Sequence, residues 1–443
     1  MPFLALHAQV LRAAWDNIRT SFWFVPVLMA CAGLVLAALG PALDRLMTGH
    51  LLAYRIGRED ALQGLSTILT SMFTMTSLVF SITVVVLTLG ASQFGPRLIR
   101  NFMARKLTQI VLGTYVMTIV FCLLLLARLG RGEGAQAAAP FTLPLAFGLT
   151  LASVILLIFH IHLLARSMQS ETIIGLVGTE LDDGISQLET SGDDREETGN
   201  LLPEGFEKNA RYIGVPRQGY VQTIEFDALT DVAHRAGLLV VFDFRPGDYV
   251  IVGGRQIGLY PASAVTPQVE QQILRTVTLG DNRTPVQDLE FSIRHLVEIA
   301  VRALSPGIND PYTATAVIDR LSGSLSRLMA ARMPAGLFRD TAGEVRVICE
   351  RPTHASLIGS AFDQIRQSGS DKPLVLIHMA QAIGRLAEAA PTPELVSVLG
   401  GELGLIRETA MRCVGRAADR DAVTKRIAAA QSALHAAGRR LSG

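Results

Sequence analysis

Residues 65–94 read LSTILTSMFTMTSLVFSITVVVLTLGASQF and carry no charged side chain. An α-helix rises about 1.5 Å per residue, so about 20 residues cross a bilayer core of roughly 30 Å. The stretch is long and apolar enough to span a membrane, and it lies within a charge-free run from Ala61 to Pro96. We predict a membrane-spanning helix over residues 65–92.

Hydroxyl side chains follow a seven-residue repeat along this predicted span. Seven residues turn an α-helix through about 700°, which leaves a drift of only roughly 20° per repeat. Residues at this spacing therefore form one stripe on the helix surface. The stripe comprises Thr67, Thr74, Ser81 and Thr88, and Ser71, Ser77 and Ser92 lie beside it.

Two explanations account for such a stripe. Small and hydroxyl residues let membrane helices approach closely and form hydrogen bonds with each other. Hydroxyl oxygens can also line a water-filled path, where they replace part of the hydration shell of an ion. A single copy of one helix cannot enclose a path, so the second explanation requires a homo-oligomer, a ring of identical subunits that conducts small ions.

Three further apolar runs reach the length of a span. They cover residues 22–43, 107–127 and 141–165. The composition agrees with a membrane protein, because 49% of the residues are hydrophobic and only 18% are charged, where soluble domains carry about a quarter charged residues. The sequence therefore predicts an α-helical membrane region of about four spans, in contact with the lipid bilayer, over residues 1–170.

Basic residues near the spans predict the orientation. Loops that stay in the cytoplasm carry an excess of Lys and Arg. Arg97, Arg100, Arg105 and Lys106 lie between spans two and three, against Arg128 and Arg131 between three and four. We predict a multi-pass protein of the bacterial inner membrane with both termini in the cytoplasm.

The end of the second span then lies at the cytoplasmic surface. Gly90, Gly95 and Pro96 predict that the helix ends here. Gln93 and Arg97 are candidates for the cytoplasmic mouth of a path along the stripe. A ring of arginines could attract anions, but ordinary positive charge on the cytoplasmic side is the favoured explanation of Arg97.

The rest of the chain predicts a mixed α+β cytoplasmic domain. A connecting helix and linker cover residues 171–210, a small β-rich module covers 211–284, and a mainly helical part covers 285–443. Gly219-Tyr220-Val221 and the segment from Arg245 to Val250 are similar to the small β module of lipoyl domains. No lysine lies between the two halves, so we expect a structural module without a covalent cofactor.

The loop RALSPGINDPYTA, residues 302–314, separates two predicted helices. Ser305, Pro306 and Gly307 should end the first helix, and Asp310 should cap the second with Pro311 at its first position. Capping leaves Asn309 unexplained. The loop is therefore a candidate for contact with a ligand, such as an anion, or with a neighbouring subunit, beside its structural role.

Several function classes lack support in the sequence. The net charge of +1 gives no overall attraction to nucleic acid. The four cysteines, Cys31, Cys122, Cys349 and Cys413, show neither metal-ligand spacing nor a disulfide framework. Phosphate-binding, zinc-protease and serine-hydrolase motifs are missing, and the second span has no ionisable residue to relay protons. We expect no enzymatic activity, no cofactor and no metal.

The chain resembles a family of predicted bacterial inner-membrane proteins that is catalogued as a domain of unknown function. The similarity rests on Ser92–Arg97 (SQFGPR), on Pro216–Tyr220 (PRQGY) and on Leu304–Thr313 (LSPGINDPYT), and it covers almost the whole chain. Gly95 departs from the serine that is usual in the family. The resemblance implies a four-span membrane region with a soluble domain, and it implies no established activity.

Three functional hypotheses follow. The first is a homo-oligomeric channel whose second span lines the ion path and whose cytoplasmic domain forms a vestibule or gate. The second is a sensor or scaffold that is anchored in the membrane without transport. The third, a secondary transporter, ranks lowest, because such transporters show internal repeats and broken helices that this sequence lacks.

Overall fold

The computed structural model describes residues 23–47, 57–94, 106–130, 141–167, 169–190 and 202–442. Internal contacts divide the chain into two compact units, Met1–Gln169 and Ser170–Gly443. The first is called the membrane unit below, and the second is called the C-terminal unit.

The described part of the membrane unit consists of four long apolar helices. They are α1 (Phe24–Met47), α2 (Arg58–Phe94), α3 (Lys106–Gly130) and α4 (Thr142–Ser167). Each has the length and composition to cross a membrane. The predicted four apolar helices are confirmed, with ends that differ from the predicted limits by a few residues in most cases.

Helix α2 begins well before the predicted span, at Arg58. Glu59 and Asp60 lie in its first turn, where acidic side chains suit the positive end of the helix dipole. Ala61 and Leu65 are buried against the rest of the membrane unit. The charged residues of the first turn are too polar for an apolar span, but they belong to the same helix.

Helix α2 also continues through Gly90 to Phe94. The prediction that Gly90 breaks the helix was wrong. A single glycine lowers helix stability by only about 1 kcal/mol relative to alanine, and within an apolar span the backbone groups must still be paired inside the helix. Gly95 and Pro96 lie outside the described residues.

The packed face of α2 repeats every seven residues, as its hydroxyl stripe does. Leu65, Met72 and Val79 are completely buried and belong to one apolar cluster with residues of α3 and α4. This spacing keeps them on one side of the helix. The helix thus joins its neighbours through an apolar face along much of its length.

Glycine allows α1 and α3 to approach closely. A Cβ atom on Gly33 of α1 would lie 2.7 Å from the backbone oxygen of Met117 in α3, and a Cβ atom on Gly113 of α3 would collide with Met29 of α1. Small residues serve membrane helices in this way, because packing rather than water exclusion holds them together.

Strands of the C-terminal unit form two small sheets. The strands are β1 (Arg211–Ile213), β2 (Gly219–Ile224), β3 (Leu239–Phe242), β4 (Tyr249–Val250), β5 (Ile257–Tyr260), β6 (Val277–Gly280), β7 (Leu337–Arg339) and β8 (Val345–Cys349). One sheet has the order β1-β5-β3-β8-β7 and the other the order β4-β2-β6. Pairing is antiparallel except between β3 and β8, which are parallel.

Helices complete the C-terminal unit. They are α5 (Ser170–Thr190), α6 (Phe206–Asn209), α7 (Phe226–Ala236), α8 (Pro267–Arg275), α9 (Leu289–Ala303), α10 (Pro311–Ala330), α11 (His354–Ser368), α12 (Pro373–Ala389), α13 (Pro393–Cys413) and α14 (Ala417–Ser442). The predicted mixed fold with a helical C-terminal part is confirmed. The small sheets also include β7 and β8, which lie beyond residue 284, and helices α7 and α8 lie between their strands.

An ion pair cluster joins the loop before α9 to the loop after β3. Arg283 contacts the carboxylate of Asp288 at 2.6 Å, and Arg245 contacts that of Glu290 at 3.5 Å. Burial raises the pKa of Asp288, although Arg283 opposes that effect. Asp288 also accepts a hydrogen bond from the backbone N–H of Phe291 at 3.2 Å and so caps α9.

Helix α5 follows α4 after two residues and packs on α9 and α10. Its Asp182 accepts hydrogen bonds from the Arg320 guanidinium at 2.6 Å and from the Ser324 hydroxyl at 2.7 Å. Burial opposes ionisation of this carboxyl, but these two donors hold the pKa of Asp182 below its ordinary value. Helix α5 is therefore held against the other helices of the C-terminal unit by charged hydrogen bonds as well as by packing.

Replacing Gly33 by alanine should destabilise the membrane unit. The added methyl group meets a backbone oxygen that cannot move alone, and overpacking of this kind typically costs about 1–3 kcal/mol. Thermal unfolding of the full chain in detergent should show a lower midpoint for Gly33→Ala. Gly148→Ala on α4 is the matched control, because a Cβ atom there meets nothing within 4 Å. Equal midpoints for the two variants would contradict the close approach of α1 and α3.

Candidate functional site

The hydroxyl stripe lies on the exposed side of α2 within the membrane unit. The exposed members are Thr67, Thr74, Ser77, Ser81, Thr88 and Ser92, and Ser71 is half-buried. The face made by Leu65, Met72 and Val79 is buried instead, and it lies about 160° around the helix from the stripe at 100° per residue. The described helices of the chain therefore do not use the stripe for their own packing.

Most hydroxyl protons of the stripe are directed at the backbone of α2. Thr67 donates to the carbonyl oxygen of Gln63 at 2.9 Å, Thr74 to that of Thr70 at 2.9 Å, and Thr88 to that of Val84 at 2.9 Å. A hydroxyl has one proton and two lone pairs. The outward surface of these three side chains is thus formed by methyl groups and oxygen lone pairs.

The predicted mouth is described only in part. Gln93 belongs to the last turn of α2, and Arg97 lies outside the described residues. Ser92, one residue earlier, donates to the carbonyl oxygen of Leu89 at 2.8 Å. The exposed hydroxyl surface therefore extends from Thr67 to Ser92, about 37 Å along the helix.

A second polar feature of α2 was not predicted from the sequence. Thr83 points to the packed side, is 5% exposed, and lies 3.3 Å from the Nε2 atom of His160 on α4, which is 1% exposed. His162, two residues later on the same helix, is exposed, so the two imidazoles point apart. The sequence does contain one indication that Thr83 faces a neighbouring helix, because Thr83 lies on the face of α2 opposite Ser81.

The loop between α9 and α10 has the predicted cap. The Asp310 carboxylate accepts hydrogen bonds from the backbone N–H groups of Tyr312 and Thr313, both at 3.1 Å, and from the Thr313 hydroxyl at 2.6 Å. Pro311, the first residue of the helix, has no N–H group. The amides that would otherwise bind an anion here already have a partner.

Asn309 has a structural role that the sequence did not reveal. Its φ of 51° lies in the left-handed region, which asparagine tolerates better than most residues. Its side-chain oxygen accepts a hydrogen bond from the Lys372 ammonium at 2.9 Å, and its N–H donates to the carbonyl oxygen of Ser305 at 2.8 Å. Pro306 and Gly307 are exposed beside it. The loop is thus a turn tied to the start of α12.

Metal chemistry finds no support in the part of the chain that the structure describes. No group of three or more His, Cys, Asp or Glu side chains there is arranged to hold a metal ion. The cysteines are unpaired in the described residues, with Cys122 and Cys349 buried. Burial raises the pKa of Cys349 to about 11, which keeps this thiol protonated and unreactive at neutral pH.

Comparisons with known proteins agree with a membrane protein. Residues 19–385 match the profile of a family described as "Predicted membrane protein (DUF2254)". Uncharacterised proteins of Mycobacterium bovis and Mycobacterium tuberculosis are each 31% identical over 448 residues, which cover 96% of this chain and 83% of the relative. No solved structure matches the chain significantly.

Replacing Asp310 by alanine should destabilise the C-terminal unit by about 1 kcal/mol, the usual effect of losing an N-cap. Asp310→Asn is the matched control, because asparagine caps helices about as well as aspartate. Thermal unfolding of the full chain should give a lower midpoint for the alanine variant and a nearly unchanged one for the asparagine variant. A role of Asp310 in binding rather than capping would instead leave both midpoints unchanged.

Proposed function

We propose that this chain, which belongs to the DUF2254 family of predicted membrane proteins, forms a homo-oligomeric channel for small ions. The hydroxyl stripe of α2 lines the path in this proposal, and the C-terminal unit acts as a vestibule or gate. The protein is not proposed to be an enzyme.

The position of the stripe carries the proposal. In one subunit the apolar face of α2 is used for packing, while the hydroxyl face from Thr67 to Ser92 is left exposed over the full depth of a bilayer. Contact between two helices would need only one or two small residues. A polar surface of this length is better explained by water along it, which several copies around an axis can enclose.

The direction of the hydroxyl protons favours cations. Thr67, Thr74 and Thr88 donate to their own helix, so their lone pairs face outward. Oxygen atoms with outward lone pairs can replace water around a cation, as carbonyl oxygens do in selectivity filters. We therefore expect the path to prefer cations to anions.

The proposed orientation places the C-terminal unit in the cytoplasm of a bacterial cell. Arg97, Arg100, Arg105 and Lys106 separate α2 from α3, and this excess of basic residues is typical of cytoplasmic loops. Both termini then lie on the same side. Helix α5 follows α4 in the chain after two residues and is fixed within the C-terminal unit through Asp182.

A membrane-anchored sensor or scaffold is the second candidate. The C-terminal unit contains an open groove of about 1030 Å³, lined in part by Phe226, Phe338, Asp227, Asp231 and Arg351. This size suits a small molecule or a peptide segment. A secondary transporter ranks below both, since α2 continues without interruption from Arg58 to Phe94.

Flux through liposomes tests the channel directly. Ser81→Leu should strongly reduce potassium flux, because it places a bulky apolar side chain on the path. Ser81→Thr keeps a hydroxyl group and should retain flux. Phe80→Leu should also retain it, because Phe80 is exposed about 100° away from the stripe. Potassium should pass faster than chloride. Tight liposomes with the wild-type chain would favour the scaffold, and unchanged flux in Ser81→Leu would remove α2 from the path.

Cysteine cross-linking tests the assembly without relying on conduction. In a Cys31→Ser, Cys413→Ser background, the remaining cysteines are buried and should stay inert. Thr74→Cys or Ser81→Cys should then form covalent dimers on oxidation in membranes, because the proposal brings these side chains together around an axis. Phe73→Cys, exposed on the neighbouring face, should form far fewer. Equal yields at all three positions would show random collision and contradict the ring.

A further inference from the structure

A buried polar contact joins α2 to α4 inside the membrane unit. Thr83 and His160 are almost completely buried, and the Thr83 Oγ1 and His160 Nε2 atoms are 3.3 Å apart. Ionisable side chains are rare inside membrane proteins, and those that occur commonly mark functional sites. The contact lies on the opposite face of α2 from the stripe.

The tautomer of His160 follows from counting protons. The Thr83 hydroxyl donates its only proton to the carbonyl oxygen of Val79 at 2.7 Å. Its oxygen can therefore only accept from His160, so the proton of the neutral imidazole is on Nε2. The Nδ1 atom then carries a lone pair that could accept a proton. This atom is buried and has no hydrogen-bond partner among the described residues.

Charged groups on the helices around His160 lie mainly at the far end of the bundle. Helix α4 packs against α1, α2 and α3. Asp44 of α1 accepts from the backbone N–H of Thr142 at 3.0 Å, and Arg58 of α2 donates to the carbonyl oxygen of Leu129 in α3. These contacts mark the end of the bundle where α4 begins. His160 lies about 27 Å away along α4.

The described titratable groups nearer to His160 are basic or neutral. Lys106 at the start of α3, and His162 and Arg166 on α4, are exposed. The Tyr115 hydroxyl of α3 donates to the backbone oxygen of Ser153 at 2.9 Å. The remaining titratable groups described on the four helices are Cys31, Arg45, Glu59, Asp60, Cys122 and Arg128. In this part of the chain no carboxylate lies at the His160 end to balance a positive imidazole.

We propose that His160 is a proton-binding site that controls the contact between α2 and α4. The Nδ1 lone pair accepts a proton from hydronium, which becomes water, and the imidazole becomes a cation with an N–H group at both ring nitrogens. A buried charge without a partner is costly unless water reaches it. Binding of the proton therefore favours entry of water between α2 and α4 and loosens their packing.

The effect should extend to the proposed ion path, and this part rests on the proposed function. Thr83 and Ser81 are carried by the same helix on opposite faces. A change in the packing of α2 at Thr83 shifts the stripe as well, so acidification should open the path.

Hydrogen–deuterium exchange of the full chain in nanodiscs tests the proton site without requiring conduction. Measurements at about pH 5 and about pH 8 lie on either side of the ordinary histidine pKa of about 6.5. His160→Gln keeps a donor for Thr83 but cannot titrate. At the lower pH, peptides from α2 and α4 around Thr83 and His160 should exchange several-fold faster in the wild type than in His160→Gln, with no difference at the higher pH.

Two further variants complete this test. His162→Gln, the exposed neighbour, should behave as the wild type does. Thr83→Val keeps the titrating imidazole but removes its hydrogen-bond partner, and should exchange faster than the wild type already at about pH 8, a result that does not depend on how well His160→Gln folds. Equal exchange in the wild type and His160→Gln at both pH values, or loss of the acid response in His162→Gln, would overturn the proposal.

Flux measurements separate this inference from the channel proposal. The wild type should show several-fold higher potassium flux at about pH 5 than at about pH 8, and His160→Gln should conduct equally at both. Flux in both proteins without any pH dependence would overturn the control by His160 and leave the channel intact. An exchange difference as expected, with tight liposomes at both pH values, would keep the proton site and remove the channel.

Discussion

The lack of water in the bilayer core is the constraint on which the rest of the structure depends. Every backbone N–H and C=O group must be paired within the chain, so each span is a continuous helix. The hydrophobic effect cannot hold such helices together in lipid, and packing decides which faces meet. In this protein Gly33 lets α1 approach α3, while Leu65, Met72 and Val79 hold α2 in place. The outward face of α2 is then what remains after the subunit has formed.

The same constraint explains how hydroxyl groups can lie on that outward face. Thr67, Thr74 and Thr88 each donate to a carbonyl oxygen one turn earlier, so the hydroxyl donors of these three side chains are paired in the apolar medium. A single subunit can therefore fold with the stripe exposed. The local bonds explain why the hydroxyls are tolerated, but their alignment over the full helix is not required by folding. Because folding of the chain does not require the hydroxyl groups to be aligned, we assign the stripe its proposed role between subunits.

Local patterns in the sequence predicted the local features of the fold. The four apolar helices, the mixed C-terminal part and the cap by Asp310 are confirmed, because each depends on residues that lie close together in the sequence. The family, which rests on three separate segments, is confirmed as well. The contact between Asn309 and Lys372 joins residues 63 positions apart, and that between Thr83 and His160 joins residues 77 positions apart. The parallel pairing of β3 with β8 joins residues still farther apart, such as Val240 and Val347. No spacing rule reports such pairs, since they exist only after packing has brought the elements together.

Helix α2 connects the two polar features because it is one continuous element from Arg58 to Phe94. Interrupting the helix inside a bilayer would leave backbone groups unpaired. If His160 controls the packing of α2 as proposed, a change at Thr83 would therefore shift or rotate the helix as one element. In the proposed ring of subunits, rotation of α2 by a few tens of degrees would replace Ser81 at the axis by Ser77 or Val85, which lie about 40° to either side. One side presents another hydroxyl and the other an apolar surface, so the sense of rotation would decide whether water remains along the path.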